Sequence, residues 1–191
     1  RVLVQASVHD AFVERLEARM RTLVVGEGTD VDVTIGPLID TRAVAKVSEH
    51  VGDARTRGAR VVLGGDIDPR GERFYAPTLM VGVDASMRMS CEETFGPVAG
   101  IVRFETEAEG LALANDTPYG LAAYAYARDL ARVHRLIDGL DSGMVGLNTG
   151  LVSNADAPFG GVKESGLGRE GSHHGVEGWI DRKYVCLGGL G

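Results

Sequence analysis

Six consecutive residues, Glu92-Glu93-Thr94-Phe95-Gly96-Pro97, put two carboxylates and an aromatic ring immediately before a turn. An ionised carboxylate only accepts hydrogen bonds and can accept two, so it suits the paired hydroxyls of a ribose, while an aromatic face beside it can support a flat ring. The competing reading is a solvated acidic pair followed by a core phenylalanine, and composition alone favours it. A second stretch, Pro158-Phe159-Gly160-Gly161-Val162-Lys163-Glu164-Ser165-Gly166-Leu167-Gly168-Arg169-Glu170-Gly171, holds five glycines. Glycine costs about 0.5–1 kcal/mol relative to alanine inside a regular element, so this backbone turns sharply or lies close to something. Within it, Gly166 to Gly171 fits G-x-G-x-x-G. That fingerprint needs a hydrophobic strand feeding the first glycine and an acidic residue roughly 20 positions on. Lys163-Glu164-Ser165 precedes it instead, and the later position falls in an apolar tail, so a phosphate-binding turn is rejected.

The other reactive residue types carry less. Cys91 abuts Glu92 and Glu93, whose negative charge disfavours a thiolate, and Cys186 falls in an apolar run that reads as a buried strand; neither suits a nucleophile. His173-His174 lacks further ligand spacing and reads as surface, with no metal site expected. Asp10, Glu14 and Glu17 read as the wet face of a helix.

The elements that must position these groups alternate. Arg1-Val2-Leu3-Val4-Gln5 reads as a strand already under way, with neither Met nor a signal architecture. Ser7 with Asp10 suggests a cap for a helix bearing Phe12, Leu16, Met20 and Leu23 and ended by Gly26 and Gly28. From Asp40 a second helix places Val44, Val47, Val51 and Ala54 on one face, closes at Gly58 and feeds a strand Val61-Val62-Leu63. Extended runs follow at 77–83 and 98–104. Thr106 with Glu109 marks a helix through Ala114, residues 121–127 a strand, and Asp129 a helix with Leu130, Val133, Leu136, Ile137 and Leu140. Met144-Val145-Gly146-Leu147 reads as a buried strand ending at Asn148. This rhythm predicts an α/β fold, a mostly parallel sheet with helices on both faces, with sites beyond the carboxyl ends of strands. Residues 148–171 are well placed for ligands. The final Tyr184-Val185-Cys186-Leu187 reads as a strand without a following helix, which needs a partner in this sheet or another subunit's.

Composition narrows the function classes. The 191 residues are 44% hydrophobic and 25% charged, with a net charge of −7. That is the balance of an ordinary globular protein, and the charge argues against a nucleic-acid partner. No apolar run approaches the roughly 20 residues of a membrane helix. Two cysteines without a framework spacing make a reducing cytoplasm the simplest setting.

Five segments in order, Ile35-Gly36-Pro37-Leu38-Ile39, Glu92-Glu93-Thr94-Phe95-Gly96-Pro97, Asn115-Asp116-Thr117-Pro118-Tyr119-Gly120-Leu121, Gly143-Met144-Val145-Gly146-Leu147-Asn148 and Pro158-Phe159-Gly160-Gly161-Val162-Lys163, resemble the signatures of the aldehyde dehydrogenase superfamily. Asn148-Thr149-Gly150-Leu151-Val152-Ser153, the stretch from Lys163 to Gly171, and the ending from Lys183 to Leu190 are similar to succinate-semialdehyde dehydrogenases. The resemblance implies a carboxy-terminal portion of the enzyme, with a partial catalytic domain over 1–175 and a tail with an oligomerisation strand over 176–191. It further implies NAD or NADP as cofactor, a small aldehyde as substrate and a homo-oligomer, dimer or tetramer, built through the tail.

By the same resemblance Glu93 binds the nicotinamide-side ribose and Phe95 packs near the nicotinamide. Ser153 hydrogen-bonds the distal carboxylate of the substrate, and Phe159 walls the aldehyde tunnel. From the residues alone Ser153 reads as loop and Phe159 equally well as core. The family attacks its aldehyde with a cysteine thiolate, passes hydride to a nicotinamide and hydrolyses the thioester with a glutamate-activated water. The resemblance puts that cysteine a few residues before the first strand and the general base farther upstream, so the chain alone is expected to be inactive. The implied reaction is oxidation of succinic semialdehyde to succinate. Two alternatives stand beside it: a related substrate such as glutarate semialdehyde, and a truncated, non-catalytic oligomerising or binding module.

Overall fold

The computed structural model describes residues 1–189 and 191, and the chain divides into two compact units, Arg1–Leu113 and Ala114–Gly191. This boundary is not one that the sequence reading, with one domain over 1–175, places. Leu190, the last residue of the tail signature, lies outside the described residues.

In the first unit, strands β1 (Val2–Gln5), β2 (Arg60–Leu63), β3 (Thr78–Val81) and β4 (Val98–Phe104) form one sheet in the order β1-β4-β3-β2. β1 and β3 both run parallel to β4, with Val2 beside Ile101 and Thr78 beside Val98. β2 is antiparallel to β3, so the sheet is mixed at one edge. The chain returns from β2 through a loop that closes where Gly64 meets Pro77: a Cβ on Gly64 would lie 2.3 Å from the Pro77 carbonyl oxygen.

Period-two alternation sends neighbouring strand residues to opposite faces. Val4, Leu79, Val81 and Ile101 pack on one side with Val13, Leu16 and Met20 of helix α1 (Ala6–Met20). Met80 and Val102 pack on the other with Val44, Val47, Val51 and Ala54 of helix α2 (Thr41–Thr56). Helices therefore cover both faces of this sheet, as the periodicity predicts, and each buried valine contributes about 1.5–3 kcal/mol. The Asp40 side chain caps α2 by accepting from the Ala43 N–H at 2.8 Å.

α1 departs from expectation in its start, its face and its end. It begins straight from β1 with Gln5 at the N-cap position and no side-chain cap, so Ser7 lies inside the helix. Its packed stripe is Val13, Leu16 and Met20, whereas Phe12 is exposed. The helix stops at Met20 because residues 24–26 pair with 34–35, an alternative partner for the backbone.

A single helical turn, α3 (Arg88–Cys91), precedes the Glu92 loop. Its Arg88 N–H donates to Asp53 of α2 at 2.8 Å, and Asp53 also accepts from Arg57 at 2.8 Å. Those bonds, the Arg88 amide first, hold the Asp53 carboxyl below its ordinary value of 3.8. A depressed carboxylate contributes stability that is complete above the unfolded value and disappears as pH falls through the folded one. The protein is accordingly expected to lose stability below about pH 4, and Asp53→Asn to flatten that acid slope in thermal unfolding. An unchanged slope would rule Asp53 out as a contributor.

Helix α4 (Glu107–Asn115) follows, with the Glu109 N–H bonded to Thr106 Oγ1 at 3.2 Å as the capping pattern predicts. In the second unit, β5 (Tyr119–Gly120) pairs antiparallel with β8 (Val162–Lys163), and β6 (Ala122–Ala125) pairs parallel with β7 (Met144–Leu147). The strand expected over 121–127 is β6, shorter at both ends, and β5 just before it belongs to a different sheet. Helix α5 (Leu130–Gly139) is capped by Asp129, which accepts from the Arg132 N–H at 2.7 Å, but Leu130 and Ile137 are exposed.

Residues 173–179 form a 3-10 helix, and residues 180–189 have no regular structure. The strand expected at 184–187 has no partner among the described residues, and a strand without a partner forms no ladder. Cys186, expected to be buried there, is exposed. Among the described residues no helix is long and apolar enough to cross a membrane.

Candidate functional site

In the first unit the Glu92 loop is fastened from beneath. His50 lies on the buried face of α2 at 0% exposure. Its Nε2 lies 3.3 Å from Glu92 Oε2 and its Nδ1 lies 3.1 Å from Thr94 Oγ1. Arg88 donates from Nε to Glu92 Oε1 at 3.0 Å and is also paired with Glu49. The Arg88 bond leads the causes that hold the Glu92 carboxyl below its usual range. Gly96 closes the loop on the same helix, where a Cβ would lie 2.6 Å from Val47 Cγ2.

His50 and Arg88 tie Glu92, which itself stays exposed, and His50 ties the half-buried Thr94, while the intervening Glu93 and the following Phe95 are left outward. Glu93 is exposed, and Phe95 is 79% exposed on a backbone with φ of 45°. A non-glycine residue in this region is uncommon and strained, and such strain persists only where the surroundings over-determine it. A core role for Phe95 is thereby excluded in this chain. Glu93 offers a free acceptor and Phe95 an open aromatic face, which is what a hydroxyl pair and a flat ring would require.

The glycine-rich stretch of the second unit packs closely at Gly160 and turns through positive φ at Gly166, Gly168 and Gly171. A Cβ on Gly143 would lie 2.0 Å from the Gly160 carbonyl oxygen, and one on Gly160 would lie 2.7 Å from that of Gly168. Phe159 and Glu170 exchange two backbone hydrogen bonds, of 2.8 and 2.7 Å, which close the segment into a loop. Arg169 Nη1 donates to the Gly161 carbonyl at 2.8 Å.

Lys163 ties this loop to its neighbours. Its Nζ donates to the carbonyls of Asn115 at 3.0 Å and Thr117 at 3.3 Å and pairs with Asp141 at 2.8 Å. The Asn115 side chain in turn donates to Gly139 O at 2.7 Å and accepts from the Asp141 N–H at 2.9 Å. Asn148 does similar work at the end of β7, holding both the N–H and the carbonyl of Ala127, at 2.9 and 2.8 Å. Beyond it, Ser153 is exposed on an irregular segment and Phe159 is 37% exposed.

The predicted residues therefore fall into two surfaces, Glu93 with Phe95 on the first unit and Ser153 with Phe159 on the second. Sequence reasoning missed His50. The signal was present: a histidine three positions after Val47 and one before Val51, on a helix face otherwise made of valine and alanine. His173 and His174 stack with ring centroids 3.9 Å apart, and among the described residues no cluster of three metal-ligating side chains occurs. Cys91, exposed at the end of α3, donates to the Ala85 carbonyl at 3.5 Å.

A sequence model described as the aldehyde dehydrogenase family matches residues 1–185. The chain is 55% identical over 188 residues to a succinate-semialdehyde dehydrogenase (NADP(+)) of Escherichia coli, covering 98% of this chain and 39% of that protein. It is 54% identical over 190 residues to a glutarate-semialdehyde dehydrogenase of Pseudomonas aeruginosa, covering 100% and 39%. A crystal structure of an E. coli NADP-dependent enzyme superposes with a TM-score of 0.97 at 55% identity, over 98% of this chain and 39% of that one. The chain thus spans about two fifths of the length of the relatives it matches. With signature segments, α/β fold and matched residues in agreement, the chain belongs to the aldehyde dehydrogenase family.

Proposed function

We propose that this chain is part of an NAD(P)-dependent dehydrogenase that oxidises a short semialdehyde acid to its dicarboxylate. Succinic semialdehyde is the favoured substrate and glutarate semialdehyde the close competitor, since relatives named for each stand at 55% and 54% identity. The observation that carries the reading is the outward pair Glu93 and Phe95 on a loop whose alternate residues are held by α2. A bound nicotinamide supplies the hydride acceptor. Glu93 accepts from ribose hydroxyls, and Phe95 packs near the flat ring. Ser153 donates its hydroxyl to the distal carboxylate of the substrate, and Phe159 walls the aldehyde path. The nucleophilic cysteine and the general-base glutamate come from outside these 191 residues.

The test is the complete enzyme assayed for NADH and NADPH formation with succinic semialdehyde, glutarate semialdehyde and a neutral aldehyde. A hydrogen bond to a charged group contributes about 1.5–3 kcal/mol, so Ser153→Ala should raise KM for succinic semialdehyde roughly tenfold or more while sparing the neutral aldehyde. Equal effects on both would remove Ser153 from the substrate site, and no reduced cofactor with any aldehyde would remove the activity.

Residues 184–187 are apolar, exposed and unpaired in this chain, which supports a role as a strand added to another copy in a dimer or tetramer. A monomer of the complete enzyme by light scattering would count against it. Both cysteines are free and exposed, in keeping with a reducing cytoplasm.

A further inference from the structure

We propose that His50 is a positioning residue for the nicotinamide-cofactor surface, holding Glu93 and Phe95 in place through Glu92 and Thr94. The inference rests on the cofactor reading of Glu93 and Phe95 given above.

Stability alone does not favour an imidazole at this position. His50 lies between Val47 and Val51 on a face that packs into the apolar core, at 0% exposure. An aliphatic side chain there would bury apolar area, whereas a buried ring nitrogen without a partner is destabilising. Both His50 nitrogens are satisfied, and both by the same short loop. The Glu92 carboxylate is acceptor-only, which assigns a proton to Nε2, and Nδ1 pairs with the Thr94 hydroxyl, which can donate or accept.

Those two contacts fall on residues i and i+2 of the loop. They fix the peptide units on either side of Glu93 and the one that leads into Phe95, whose φ of 45° depends on being held. One turn earlier on α2, Val47 meets Gly96 and sets the far end of the loop. Arg88 anchors Glu92 from the side with bonds of 3.0 and 3.4 Å, and its other side-chain partner, Glu49, lies on α2 and not in the loop. His50 is the one contact described that spans the loop from Glu92 to Thr94. A carboxylate meant for two hydroxyls needs its position fixed before the ligand arrives, and a displacement of about 1 Å can cost on the order of 100-fold.

The experiment uses the complete enzyme, with NAD(P) and aldehyde varied separately. His50→Leu, close in shape but without nitrogen, is expected to raise KM for the cofactor about tenfold and to leave KM for the aldehyde within about twofold. His50→Gln retains one donor and one acceptor and is expected to restore most of the loss. In a double-mutant cycle His50→Leu should add less than its full effect to Glu93→Ala, because part of its action runs through Glu93 and the rest through Phe95. Thr94→Val severs one link without altering α2, and carries the test if His50→Leu fails to fold; it too should raise the cofactor KM selectively.

A cofactor KM unchanged in His50→Leu or, in its place, in Thr94→Val overturns the inference. So do equal losses toward cofactor and aldehyde, or full additivity with Glu93→Ala. If Glu93→Ala itself leaves the cofactor KM unchanged, the cofactor reading fails and this inference fails with it, a result distinct from a responsive Glu93 beside a silent His50.

Discussion

Glu93→Ala is expected to lower kcat/KM for the nicotinamide cofactor by about 100-fold in the complete enzyme, the largest effect of any exposed side chain in these 191 residues. The magnitude follows from chemistry. Each hydrogen bond from a neutral hydroxyl to a carboxylate contributes about 1.5–3 kcal/mol, and a tenfold change corresponds to about 1.4 kcal/mol. Two such bonds to a ribose reach or exceed two orders of magnitude before any rearrangement is counted. Because Glu93 is exposed and Arg88 bonds its neighbour Glu92 instead, the change should leave the unfolding midpoint nearly constant. Glu93→Gln should fall between wild type and alanine, as it keeps one acceptor. Steady-state kinetics at fixed aldehyde, with thermal unfolding alongside, give the answer. An alanine variant with wild-type cofactor kinetics would refute the ribose assignment.

Gly143→Ala is expected to be the most damaging single methyl group in the second unit. The new carbon would stand 2.0 Å from the Gly160 carbonyl oxygen, a contact with backbone that no side-chain rotation relieves. The Gly143 N–H is itself bonded to Gly120 O at 2.9 Å, so the segment cannot step aside without breaking a bond. Overpacking of this kind costs typically 1–3 kcal/mol and more against backbone; we expect about 3 kcal/mol and a KM for the aldehyde raised about tenfold as the Phe159 loop moves. Gly178→Ala is the control. It has open space around it and should stay within about 0.5 kcal/mol of wild type. Equal midpoints for the two variants would show that the backbone contact is unimportant.

α2 and β4 were legible because their signals are local. Asp40, the valines at helical spacing and Gly58 supply start, face and stop for α2, and the observed Thr41–Thr56 obeys all three. β4 runs over the predicted 98–104. α1 was legible in type but not in detail. The strand runs into the helix without a loop, so no cap was needed, and the choice between Phe12 and Val13 for the packed stripe was made by the sheet beneath.

Among the site residues, Glu93 and Phe95 could be nominated because carboxylate and ring stand out by type. His50 could not be assigned a role from sequence, since its meaning comes from Glu92 and Thr94, more than 40 residues away. The tail shows the converse limit: residues 184–187 have the composition of a strand, yet strand is a property of a pair, and no partner is offered among the described residues.

The sequence by itself determined which groups could do chemistry, where glycine was obligatory, and the family to which the order of signature segments points. Tertiary structure alone decided which way Glu93 and Phe95 face, and it did so through a buried imidazole and a glycine seated on Val47. Those are contacts across long sequence separations, and residue type or periodicity carries no record of them. It also decided that Gly160 makes room for another backbone segment while Gly166 and Gly168 serve turns of positive φ. Whether a glycine frees a turn or makes room for another chain segment depends on what lies within 3 Å of it, and that is fixed only when the unit has folded.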